Sequence, residues 1–496
     1  MADEVDMSKR WDRDGSRLST ETETVVAQSG RAHGRLPRRL NLLNAISINM
    51  SNMVGTGPFI TVPAILATLG GPQSLIAWGV GALLAIADGL VFAELGASIP
   101  ASGGSYTFLR ECLGRKGWGH MMAWIFVWQF MFSGTLEIAT SSIGMAEYAG
   151  FLWPKLLAHP WGMKFLAAGI TALALVALYR KIQDIARLML VLWIGMLVTA
   201  GWVIVTGAMH IHPKMLVDFP PGAWHIGLPF MLGLGNGTML VMFNFLGYYQ
   251  VCYLGDEVKR PERTIPYGVI VSILLVTLID FLISVSFVGV VPWREMIQPG
   301  TQAFNAIGSV YMERISGHWA SALMTFMVEL TAFAATYAMI LGYSRIPYAA
   351  ALDGAFFRWF GELHPTKRFP HRSLLLVGFL VIVACFFDLV QIITALILAR
   401  IFSMFVAQII GLLVYRKYQP DAPRPFRMWL YPLPALFALV GWLGVFVTPA
   451  LQPGGWEFMA YAFGTIGMGF TAYLILAWRK RDWPFAEQPN PANLIG

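Results

Sequence analysis

One hydrophobic stretch, residues 40–66, constrains this chain more than any other, because Val54-Gly55-Thr56-Gly57-Pro58 interrupts its middle. About 20 apolar residues suffice for a helix to cross the roughly 30 Å hydrocarbon core of a bilayer. This stretch is long enough, yet it sets two glycines and a proline where lipid offers a backbone no partner. Irregular backbone at that depth survives only when protein covers it or when it lines a cavity. A second break falls at 244–249, and two interrupted helices in corresponding halves mark the substrate site of many secondary transporters.

Composition supports the membrane setting. The chain of 496 residues is 56% hydrophobic and only 13% charged, against roughly 25% charged in soluble domains. Twelve hydrophobic spans are expected, at 40–66, 73–98, 118–150, 160–178, 186–207, 224–254, 264–291, 318–343, 373–390, 392–415, 428–450 and 456–478, or eleven if the ninth and tenth, which nearly touch, are one. With the N-terminus inside, 29 of the 35 Lys and Arg fall on the inner side. The positive-inside rule then predicts a multi-pass protein of the cell membrane with both termini cytoplasmic. The same asymmetry accounts for a net charge of +7 without a nucleic-acid partner. Polar tails are expected at 1–39, as a disordered cytoplasmic segment with no cleavable signal peptide, and at 479–496. Cys112, Cys252 and Cys385 lie far apart with no metal-like spacing, so neither a disulfide framework nor a zinc site is suggested. Trp118, Trp124, Trp153, Trp293 and Trp429 sit near span ends and read as an interfacial belt.

Four motifs occur in order. They are Gly55-Thr56-Gly57-Pro58-Phe59, Glu94-Leu95-Gly96-Ala97-Ser98-Ile99-Pro100-Ala101-Ser102-Gly103-Gly104-Ser105-Tyr106, Asp256 through Pro266, and Pro423-Arg424-Pro425-Phe426-Arg427. Together they resemble the amino acid–polyamine–organocation transporter superfamily, over nearly everything past the N-terminal tail. The resemblance implies an all-α polytopic fold of twelve transmembrane helices. Five helices (40–207) and five inverted ones (224–417) would form a leucine-transporter-type repeat, followed by two more (428–478). Asn52-x-x-Gly55 and Asn244-x-x-Gly247 are similar breaks, each first in its own half. The implied function is secondary active transport of amino acids by symport or exchange. The first and sixth helices would rock against the third, fourth, eighth and ninth.

The breaks suit a zwitterion. Past the first break Pro58 fits the first turn of a new half-helix. The amides of Thr56, Gly57 and Phe59, with Gly55 admitting close approach, would offer a helix N-terminus to a carboxylate. Carbonyls near 243–245 would face the ammonium group. The resemblance implies Tyr248 as an aromatic gate over the substrate, with Asn244, Gly247 and Tyr249 lining the pocket; packing between helices is the competing reading for both tyrosines. Thr56 and Pro58 stand where the family usually has Ser or Ala and an aliphatic residue, which leaves side-chain selectivity open.

Ionisable side chains inside a membrane are costly and functional by default. Glu137 on the third span has three readings: contact with a substrate amine, a proton-coupling carboxyl, or a structural acid. Glu329 on the eighth span is a second coupling candidate. Asp88, Asp280 and Arg400 read as structural, while Glu94 and Glu257 would pair with loop arginines and hold the inward gate shut. Sodium coupling would use first-span carbonyls with the Thr331 and Thr336 hydroxyls. No basic residue occurs in 188–198 for lysine-based proton coupling, so Glu137-linked protons, sodium and simple exchange stay open. No cofactor or resident metal is expected; H+ or Na+ would serve only as a coupling ion. A polyamine or organic-cation transporter is the alternative, favoured if Glu137 faces the pocket. A channel would need a filter repeat and an enzyme a nucleophile–base or metal cluster, and neither is found. A non-transporting sensor would need an appended domain. Gly233-x-Gly235-x-Gly237 lies in a span without a βαβ setting and is no nucleotide loop. Oligomeric state and the particular amino acid are not readable.

Overall fold

The computed structural model describes residues 38, 40–53, 55–101, 103–114, 117–157, 159–180, 185–352, 356–365 and 369–479. The expected tails, 1–39 and 479–496, lie almost wholly outside them. The helices are α1 (Leu42–Met53), α2 (Gly57–Leu69), α3 (Ile76–Ser98), α4 (Ser105–Cys112), α5 (Trp118–Leu152), α6 (Pro160–Arg180), α7 (Ile185–His210), α8 (Leu228–Phe245), α9 (Pro261–Val290), α10 (Ile307–Ser316), α11 (His318–Tyr343), α12 (Arg345–Leu352), α13 (His371–Ala384), α14 (Leu389–Arg400), α15 (Ala407–Tyr418), α16 (Leu433–Ala450) and α17 (Gly455–Arg479). Among the described residues the only β feature is an isolated bridge between Leu40 and Val258.

Nine helices among the described residues are long and apolar enough to cross a membrane. They become ten when α1 and α2, bent by 53° at the first break, count as one span. Two further apolar helices, Ile194–His210 and His371–Ala384, are shorter than that. The chain is thus a polytopic all-helical membrane protein. The sixth span is shorter as a helix than its hydropathy suggests: α8 stops at Phe245, and only short 3-10 turns follow at Gln250–Tyr253 and Gly255–Glu257. A turn at residues 385–388 separates α13 from α14, and α14 runs into α15 through a π-helical segment, Ile401–Val406.

Local chemistry sets several ends. Pro58 in the first turn of α2 has no N–H to leave unpaired. The same helix stops at Gly70, whose left-handed backbone (φ 68°) lets its N–H return to the Leu66 carbonyl. Arg416 and Lys417 close α15 where the helix dipole is negative.

The helices pack as two groups. In one, α9 lies against α3 and α1, and α8 against α2 and α3; in the other, α5 lies against α6, α11, α13 and α14. The outward faces carry exposed Leu83, Phe165, Leu173, Val205, Leu278 and Phe326, as a surface in contact with lipid requires. Trp118, Trp153 and Trp429 are exposed at helix ends, as the belt predicts, but Trp124 and Trp293 are buried. Their indole N–H groups explain why. Trp124 donates to the Gly469 carbonyl at 3.1 Å, and Trp293 donates to the Asp218 carbonyl at 2.9 Å, so each ring is held inside by a partner distant in sequence.

Candidate functional site

The two breaks, almost two hundred residues apart in sequence, meet in space. A Cβ on Gly57 would stand 2.1 Å from Asn244 Oδ1, and one on Gly247 would stand 2.6 Å from Asn52 Nδ2. Each break therefore presses a glycine against the asparagine of the other. Gly247 also needs its lack of a side chain for its own backbone, since its φ is 115°. Asn244 is fixed by donating to the Leu240 carbonyl at 2.9 Å and to Thr61 Oγ1 at 3.0 Å. Thr61 in turn donates to the Gly57 carbonyl at 2.9 Å. Asn49, one turn before the first break, accepts from Val251 N at 2.9 Å and donates to Ser272 Oγ at 3.2 Å.

Of the four first-break residues, Thr56, Gly57 and Phe59 are buried, while Gly55 is half-buried with open space where a Cβ would stand. The first-turn amides of α2 have no carbonyl partner within their own helix. On the opposite side of α2, the Phe59 carbonyl accepts from Tyr148 OH at 3.0 Å, and the same hydroxyl accepts from Gly308 N at 3.0 Å. The carbonyls at the end of α8 are less free than the sequence suggests. Phe243 O accepts from Leu246 N at 3.2 Å and Phe245 O from Tyr248 N at 3.3 Å, leaving each one further lone pair.

Tyr248 is fully buried, and its hydroxyl donates to Asp88 Oδ2 on α3. Its ring meets Phe92 edge-on at 5.6 Å, and Tyr249 stacks on the same Phe92 at 5.0 Å. Both tyrosines are packed between helices in this conformation.

Glu137 is not alone. Its Oε2 accepts from Arg400 Nη2 at 2.5 Å and from Tyr343 OH at 2.9 Å. Arg400 also donates to Ser133 Oγ at 3.2 Å, reaches Tyr249 OH at 3.5 Å, and lies 5.0 Å from the centre of the Phe130 ring. The side chains of Arg400 and Glu137 are 1% and 7% exposed, so this is a dry ion pair joining α5, α11, α14 and the second break. Arg400 is the participant that sequence reasoning undervalued. The available signal was balance: a buried cation in lipid demands a buried anion.

The other candidates are placed apart. Thr336 Oγ1 lies 3.2 Å from Ser142 Oγ, which accepts from Thr171 at 2.9 Å, and Thr331 bonds back to the Met327 carbonyl at 2.8 Å. Glu329 is half-buried, with Oε1 shut from solvent and without a donor; Asp280 is fully buried with neither oxygen bonded. Among the described residues no three or more His, Cys, Asp or Glu are grouped to hold a metal ion.

At the end of the molecule richest in Lys and Arg, Glu94 takes a two-pronged bond from Arg416 at 2.7 and 2.5 Å, and Met428 N donates to it at 2.8 Å. Glu94 thus pairs with an arginine as expected. Among the described residues no arginine pairs with the Glu257 carboxylate as expected; Glu257 acts through its backbone, its carbonyl accepting from Leu40 N at 3.0 Å. Gln408 and Tyr253 both donate to Ser105 Oγ, at 2.8 and 3.1 Å, sealing the same end.

A cavity of about 790 Å3 opens at the opposite end. Ala64, Ile143, Glu147, Leu240, Asp388 and Thr394 are among its lining residues. At 1.5 Å per helical residue its floor lies roughly 6–10 Å from the breaks and the ion pair. Asp218 is clasped by Arg294 and by the Trp293 indole at 3.2 Å. The Arg294 hydrogen bond holds the Asp218 carboxyl below the usual carboxylate range.

Comparison with known proteins agrees with this architecture. The family model for amino acid permeases matches residues 40–471. The chain is 25% identical to the vacuolar cationic amino acid transporter 4 of Arabidopsis thaliana, over 78% of this chain and 64% of that protein. It is 25% identical to the branched-chain amino acid permease BcaP of Bacillus subtilis, over 83% and 87% of the two chains. It is 26% identical to the human cystine/glutamate transporter, over 82% and 80%.

Proposed function

We propose that this chain, which belongs to the amino acid permease family, moves amino acids across a membrane by alternating access, the substrate held where its two broken helices meet. The observation that carries the reading is the reciprocal contact of the breaks, Gly57 on Asn244 and Gly247 on Asn52. The relatives are named for cationic, branched-chain, and cystine or glutamate substrates. What such substrates share is the α-ammonium and α-carboxylate. Backbone recognises that pair without regard to side chain. The carboxylate goes to the amides of Thr56, Gly57 and Phe59 at the positive end of α2. The ammonium goes to the remaining lone pairs of the carbonyls ending α8.

The twelve-span topology, five plus five inverted plus two, accords with a broken helix leading each half. The Lys- and Arg-rich end is taken as cytoplasmic, in the cell membrane. The 790 Å3 cavity is then an outward vestibule, and the Glu94–Arg416 clasp holds the inner end closed. Glu137 carries Arg400 already, and a neutral pair exerts little net pull on a polyamine, which favours the zwitterion over that alternative. No cofactor enters this scheme. Of the coupling candidates, Glu329 keeps an oxygen without a donor and is assigned the proton in a symport; Thr331 and Thr336 serve the sodium version.

The test is uptake into proteoliposomes of a labelled panel of neutral, cationic and acidic amino acids with putrescine and spermidine, under a proton or a sodium gradient. Saturable uptake of an amino acid that Gly55→Leu abolishes, with the fold intact, supports the site. Uptake of diamines alone overturns it.

A further inference from the structure

The motif Pro423-Arg424-Pro425-Phe426-Arg427 has no part in the transport scheme, yet it helps build a second hollow. This hollow, about 320 Å3, is lined by Leu413, Arg416, Lys417, Arg424, Arg427 and Tyr431. Arg416 is already matched by Glu94 and lies 3.7 Å from the centre of the Tyr431 ring. Arg424 uses one N–H on the Pro420 carbonyl. Among the described residues no carboxylate lies within 4 Å of the Lys417, Arg424 or Arg427 charges. Asp421, the nearest acid in sequence, is exposed and does not line the hollow.

The positive-inside bias explains why cations gather at one face of a membrane protein. It does not explain why three cations without a carboxylate partner among the described residues, Lys417 lying 5.4 Å from the centre of the Tyr418 ring, converge on one concavity, where their repulsion needs an anion to relieve it. The rim supplies a second clue. Tyr418, Trp429, Leu430 and Leu433 stand exposed beside the hollow, the aromatic and apolar set that settles at the boundary of headgroups and acyl chains. Leu430 is held at φ 56°, a backbone region L side chains rarely adopt, and its side chain gains no burial in return.

We propose that this hollow binds the phosphate headgroup of an anionic phospholipid, with Lys417, Arg424 and Arg427 around the phosphate and the Trp429–Leu430 rim against the acyl chains. Arginine forks match phosphate oxygens two at a time, and basic pockets at membrane surfaces take such headgroups. A free phosphate shares the charge but leaves the apolar rim unused, which decides between the two. The inference requires only that α15 ends at a membrane surface, so it stands apart from the transport reading.

The experiment titrates the purified full chain, in a neutral detergent, with dioleoylphosphatidylglycerol, dioleoylphosphatidylcholine or inorganic phosphate, reading the thermal midpoint and the lipids retained in native mass spectra. The phosphatidylglycerol should raise the midpoint saturably and remain bound, while phosphatidylcholine does neither. The double variant Arg424→Gln with Arg427→Gln should raise the half-saturating lipid concentration about 30-fold, and Lys417→Gln alone, which spares the motif's fold, about 5-fold. Lys259→Gln with Arg263→Gln, a charge-matched pair around the start of α9, should change nothing. Equal weakening by that control overturns the site in favour of diffuse surface charge. A midpoint shift of the same size from millimolar phosphate overturns the lipid in favour of a free anion.

Discussion

Replacing Glu137 by glutamine should destabilise this protein by about 3–5 kcal/mol, because it strands Arg400. At the 2.5 Å separation of Glu137 and Arg400 and an effective dielectric near 20, their attraction is about 7 kcal/mol. Withdrawing each ion from water costs several kcal/mol, so attraction and desolvation nearly cancel. Against apolar residues of similar size the pair therefore contributes little net stability. A single substitution is different, since the surviving charge keeps its desolvation cost and loses its partner. Arg400→Met should be as damaging as Glu137→Gln, for the same reason. The double variant Glu137→Met with Arg400→Met should lose less than either single change. Unfolding by denaturing detergent titrated into mild micelles, followed by tryptophan fluorescence, measures all three. A loss under about 1 kcal/mol for Glu137→Gln, with the double variant losing more than either single change, refutes a dry, paired Glu137. Transport separates the remaining reading: a Glu137 that touched a substrate amine would show a raised KM at unchanged stability.

Four further outcomes are expected. Gly57→Ala should cost about 1–3 kcal/mol, because its Cβ would meet an Asn244 side chain that two hydrogen bonds hold in place; the same change at open Gly55 should cost far less by the same unfolding assay. Glu94→Gln should loosen the basic end, read as faster amide exchange around 416–431 than in the parent protein; unchanged protection there would show that the clasp is dispensable. Asp280→Asn should leave stability equal or higher, since the carboxyl has no bonded partner to lose; a large loss would reveal a hidden cation on it. The Asp218–Arg294 clasp has a folded-state carboxyl pKa below its ordinary value, so its contribution is complete above the ordinary carboxylate range. It fades as pH falls through the lowered value, and Asp218→Asn should flatten that acid limb of the thermal midpoint.

Both breaks were legible in the sequence, because a glycine or proline inside a hydrophobic run is a local conflict that needs no partner to be seen. Hydropathy likewise located the helices, and the grouping of Lys and Arg singled out one end of the molecule. The chemistry of Pro58, Gly70 and Gly247 follows from φ preferences that each residue carries wherever it goes. Tertiary structure decided what these local features face. Glu137 and Arg400 are 263 residues apart, and nothing in either span says that the acid will be answered by that arginine. The same holds for Trp124 and Trp293, which look like interfacial residues until distant carbonyls claim their N–H groups. The paired Asn-x-x-Gly breaks, similar as they are, did not reveal that each asparagine would lie against the other break's glycine. Periodicity and propensity act along a few residues of chain, whereas a buried charge or amide is satisfied by whichever helix the whole fold brings beside it.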